Sequence, residues 1–101
     1  MEVMEIFRKH MTEELEGSMA YIHMAIELKP MGLEWSKKFY EMSSAELANA
    51  TALKAMLSEF YSKASQTFSK MPDYILEGYN YLMEHYNTMS EEIKSLHRAY
   101  A

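Results

Sequence analysis

The chain has 101 residues, a net charge of −5 and 49 % hydrophobic residues, with 11 Met, 3 Gly, 2 Pro and no Cys. That length allows one domain with a modest core, and the missing cysteines exclude a disulfide scaffold or a thiolate metal site and fit a reducing compartment. The acidic balance excludes nucleic acid and anionic membrane as partners; no apolar run approaches the roughly 18 residues of a membrane helix, so a cytoplasmic protein is expected.

Few glycines and prolines leave too little punctuation for a sheet, and the expectation is an all-α fold, a single helical domain over 1–101 with helices near 2–29, 34–61 and 73–99. In the first segment Phe7, Met11, Glu14, Ser18, Tyr21, Ala25 and Leu28 recur at helical spacing. A second stripe (Met4, Leu15, Met19, Ile22, Ile26) widens the apolar face, so this helix should touch more than one neighbour. Lys29-Pro30-Met31-Gly32 ends it. In the second segment the same rhythm picks out Trp35, Phe39, Met42, Glu46, Asn49, Leu53, Met56 and Phe60 as the buried seam. The polar stretch from Tyr61 to Asp73 reads as a connection, with Asp73 as N-cap of the third helix. That helix has the most regular seam: Ile75, Tyr79, Leu82, Tyr86, Met89, Ile93, Leu96 and Tyr100.

Carboxylates in a buried seam are informative. An ionised carboxylate there must be protonated, hydrogen-bonded, ion-paired or metal-bound, which singles out Glu14 and Glu46.

At these residues the sequence resembles a ferritin. The run Glu14 to Ala25 is similar to the first ferritin helix, where a ligand Glu is followed seven residues later by Tyr; Glu14 and Tyr21 keep that spacing. The run Gly32 to Ala50 resembles the second, whose Glu-x-x-His signature here reads Glu46-Leu47-Ala48-Asn49. Leu82 to Leu96 resembles the third, with the family's ligand Glu falling on Tyr86, and the fourth helix has no counterpart. The resemblance implies a three-helix ferritin-like bundle completed by oligomerisation, as a homo-oligomer or a subunit of a larger assembly. It also implies a layer of Glu14, Glu46, Asn49, Tyr86 and Tyr21 at the position of the family's iron site.

Two functions follow. An amide and a phenol replace the ligands that di-iron chemistry uses, so the layer reads first as hydrogen-bonded structure. The protein is then a non-enzymatic assembly or interaction module without a cofactor. The alternative is a ferritin relative that holds iron or another divalent cation at Glu14 and Glu46, in a site completed between subunits. His23 and His85 sit off the seams as surface or boundary residues, and His10 precedes Glu14 by four.

The connection between the second and third helices discriminates. A ferritin-type crossover would use 61–73, which reaches about 43 Å fully extended, and would run those helices parallel. A short turn at Met71-Pro72 would make them antiparallel and put Glu46 about 14 Å out of level with Tyr86.

Overall fold

The structure, a computed structural model, describes residues 2–32 and 34–101. Helix α1 (Val3–Leu28) starts where the Glu2 carboxylate accepts a hydrogen bond from the Met4 N–H at 2.6 Å, satisfying one of the free donors of the first turn. It ends in a single 3-10 turn, Lys29–Met31, closed by Gly32 in the left-handed conformation (φ 67°) that glycine adopts without a steric penalty. Helix α2 is Glu34–Thr67 and helix α3 is Asp73–Tyr100. Among the described residues the regular structure is entirely helical, which bears out the all-α expectation.

Helix α2 continues past residue 61, where the sequence placed its end. Ser65 and Thr67 return their hydroxyls to Tyr61 O (3.0 Å) and Lys63 O (3.1 Å) and so sit comfortably on an exposed helical face. Ala64 prolongs the buried row by one more heptad. The connection is therefore only 68–72. Pro72, not Asp73, occupies the N-cap, and Asp73 lies in the first turn, where its charge complements the helix dipole.

A five-residue turn leaves α2 and α3 antiparallel. The pairs along their seam run in opposite directions: Tyr61 with Tyr79, Thr51 with Tyr86, Ser43 with His97, Tyr40 with Tyr100. α1 and α2 are also antiparallel, from Phe7–Phe60 at one end to Tyr21–Phe39 towards the other. The result is an up-down-up bundle, 57 × 23 × 16 Å, in which α1 touches both other helices as its two stripes require. Met11, Leu15 and Ile22 of α1, Leu57 of α2, and Leu82 and Ile93 of α3 fill the centre. The expected α3 seam is buried or half-buried throughout.

The second helix departs from expectation. Its buried row is Ser36, Ser43, Ala50, Leu57 and Ala64. The expected seam lies beside it on the flank of α1 away from α3, with no residue buried. Small residues let α2 approach α1 closely, and four of the five inward positions are Ser or Ala. The bulky residues are left outside: Trp35 is 63 % exposed, Met42 42 % and Met56 54 %.

Candidate functional site

Two polar clusters interrupt the apolar surfaces. The first lies halfway along the outer side of the α1–α2 hairpin and contains both carboxylates singled out above. Glu14 and Glu46 are half-buried and close enough for Glu14 to act on the Glu46 carboxyl, while the Asn49 amide donates to Glu14 Oε2 at 3.5 Å. The Glu46 carboxylate lies against the bare backbone of Gly17, where any Cβ would collide with it. Gly17 thus leaves room for the end of this flexible side chain, a close approach that the sequence reading did not identify. Burial, and then repulsion from Glu14, holds the Glu46 carboxyl above the usual carboxylate range.

The other members of the expected layer lie elsewhere. Tyr86 is buried on α3, with its hydroxyl on Thr51 Oγ1 at 2.8 Å and the Lys54 ammonium 4.6 Å from its ring centroid. Five residues of α2 separate Thr51 from Glu46, a shift of about 7 Å. Tyr21 stacks on Phe39 with ring centroids 5.9 Å apart, one heptad beyond Glu14. So the structure brings together Glu14, Glu46 and Asn49, and leaves Tyr21 and Tyr86 out. Of the histidines, His23 is exposed, and His10 lies 3.9 Å from Glu13. His85 is half-buried and stacks on Tyr81 at 5.7 Å. No group of three or more His, Asp or Glu converges among the described residues.

The second cluster, which the sequence reading missed, pins the far end of the bundle. Ser18 and Ser43, both fully buried, exchange hydrogen bonds across α1 and α2: Ser18 Oγ donates to Ser43 O (2.8 Å) and Ser43 Oγ to Ser18 O (2.7 Å). His97 Nε2 lies 2.9 Å from Ser43 Oγ. Since the Ser43 proton goes to Ser18 O, the imidazole is the donor in that bond. A serine beside a histidine suggests a nucleophile, but here the hydroxyl proton points away from the base and the oxygen is sealed from solvent. Ser36 Oγ donates to Ala25 O (2.7 Å) and meets the Tyr100 hydroxyl (3.0 Å). Tyr40 contacts the rings of both His97 and Tyr100, each 4.8 Å away between centroids, and Lys29 Nζ donates to Tyr100 O. Burial holds the His97 imidazole below its ordinary pKa. Serines recurring in a buried row were the one available signal for this network.

Comparison of the chain with protein-family models, characterised proteins and solved structures finds no match. No described helix is long and apolar enough to cross a membrane.

Proposed function

We propose that the chain is a non-enzymatic, cytoplasmic helical assembly module, ferritin-like in its first two helices, that docks a partner on the outer side of the α1–α2 hairpin. The observation that carries this reading is the inverted packing of α2. A helix that served only its own bundle would turn Trp35, Phe39, Met42, Leu53, Met56 and Phe60 inward. Here Trp35, Met42 and Met56 stand exposed, with Phe39, Leu53 and Phe60 only half-buried on the same flank, and Val3 and Met24 of α1 are themselves 42 % and 40 % exposed. Large apolar side chains grouped on one face mark interaction sites, and Met, Trp and Phe are the side chains that interface cores favour. The Ser43–His97 pair supports a non-enzymatic role, because its geometry serves packing.

Changing Met42 and Met56 together to Lys should abolish association without loss of helical signal. Both side chains point outward, so the fold tolerates the change while the face does not. Light scattering on a sizing column, with circular dichroism as the control, reads both; association that persists unchanged in the variant refutes the docking role.

One observation favours a second reading. Two carboxylates and an amide converge on the same face, with Glu46 lying against Gly17. This is half of a hard-cation donor set, and a partner would supply the rest. Because the Glu46 carboxyl titrates above its ordinary range, its contribution to stability is full below the unfolded pKa and is lost as pH rises through the folded value. Glu46→Gln should therefore melt higher than wild type at pH 7.5 in chelator, with the gap closing near pH 4. Added Mn²⁺ or Fe²⁺ should raise the wild-type melt and leave the variant unmoved if a cation belongs there. A metal-indifferent wild type eliminates this reading.

A further inference from the structure

We infer that the partner on the α1–α2 outer face is a second copy of this chain, seated face to face so that two hairpins form one four-helix layer with each α3 on the outside. This inference rests on the docking role proposed above and adds the identity of the partner.

The first argument is size. From Trp35 to Phe60 the face runs about 38 Å along α2 and is two helices, about 20 Å, wide. That footprint, roughly 750 Å², is close to the ~800 Å² that each partner contributes to a specific interface of standard size. A single docked helix would cover about half of it, whereas a hairpin of matching length covers it all.

The second argument is shape. The hairpin is antiparallel, and both helices contribute large side chains at matched levels of the outer face: Val3 beside Phe60, Tyr21 beside Phe39. An identical hairpin laid across it about a two-fold axis gives the packing of a four-helix bundle. The third argument is closure. α3 covers the opposite side of the hairpin, so each copy offers one such face, and a two-fold contact that uses it on both copies ends growth at two.

The axis has a further consequence. Glu14, Gly17, Glu46 and Asn49 lie midway along the face, with Val3 and Phe60 towards one end and Met24 and Trp35 towards the other. A two-fold contact covering the whole face sets the middle level of one copy against the middle level of the other. Four carboxylates then share one layer, flanked by apolar residues on both sides. The flanks hold the copies together and the middle opposes them.

Sedimentation of the full chain in chelator at micromolar concentration tests this. The expected mass is twice the 11.9 kDa of one chain, with no growth at higher concentration. Met42→Lys with Met56→Lys should give one chain. Leu76→Lys with Tyr81→Lys, on the outer side of α3, should leave the pair intact. Glu46→Gln, which removes two of the four charges, should tighten the dissociation constant about tenfold, the scale of one like-charge contact in partial solvent. Assemblies that grow with concentration yet vanish with the Lys variant overturn the two-fold contact and keep the docking role. A pair insensitive to the Lys variant overturns both. A one-chain mass at 100 μM (about a hundredfold above a micromolar constant) overturns the second copy. An apolar dye then decides the docking role, which stands only if the dye binds wild type and not the Lys variant.

Discussion

Ala50→Leu should destabilise the protein by about 1–3 kcal/mol, and Asn49→Leu, one residue earlier, should cost almost nothing. Ala50 is fully buried in the inward row of α2, between Ser43 and Leu57 one heptad to either side. Extra methylenes there have no free volume to enter, so they force off-rotamer side chains or push α2 away from its neighbours. Asn49 is exposed on the outer face, and leucine there trades one long hydrogen bond to Glu14 for better helix propensity. For a domain of this size each kcal/mol moves the melting temperature by about 4–8 °C, so the two variants should separate clearly in a thermal scan. Equal melts would mean that the small inward row does not set the spacing of α2.

Ser43→Ala should cost about 2 kcal/mol, and Ser44→Ala next to it should be silent. The Ser43 hydroxyl serves two partners, Ser18 O and His97 Nε2, and its loss leaves both without it in a place water reaches poorly. The same junction makes the end of α3 sensitive to acid. Because burial lowers the folded pKa of His97, the stability it contributes is full above the ordinary imidazole value and is lost as pH falls through it towards the folded value. Wild type should lose stability as pH falls below the ordinary imidazole value, and His97→Gln, which keeps a donor and cannot ionise, should lose less. Melts at closely spaced pH values measure it; parallel wild-type and His97→Gln profiles would remove His97 from the account.

Much of the fold was legible from residue order alone. The helix count, the break at Lys29–Gly32, the whole α3 seam and the two-sided face of α1 follow from periodicity, because in those segments the bulkiest apolar residues are also the inward ones. In α2 they are not. Hydrophobic rhythm identifies a row that avoids water, but it does not say whether the row faces its own chain. Four of the five residues in the inward row of α2 are serine or alanine, which an apolarity count ranks below the bulky row beside them. The end of α2 was misplaced for a related reason: serine and threonine are frequent in turns, yet on an exposed helical face they return their hydroxyls to the preceding turn. Of the acidic site, helical spacing singled out Glu14 and Glu46, and the resemblance to ferritin set them in one layer with Asn49. The close approach of Glu46 to Gly17 was not legible, since it depends on how two helices align, and Tyr86 left the layer once a short turn reversed α3.

That short turn also bears on how the chain reaches its fold. In an up-down-up order α1 meets α2 by folding back through a few residues, and that hairpin holds the largest share of the helix–helix contacts, whereas α3 packs mainly on α1. Topologies dominated by such local closures lose little loop entropy before contacts form and fold in the microsecond-to-millisecond range. Here the contact between α1 and α2 is the largest in the molecule, while α3 meets α2 through scattered tyrosine, threonine and histidine pairs. The natural sequence of events is a hairpin of α1 and α2 that collapses early, with α3 arriving onto a surface already made. A hairpin with α3 not yet docked is apolar on both sides, so the interval before α3 arrives is when the chain is most exposed to misassembly.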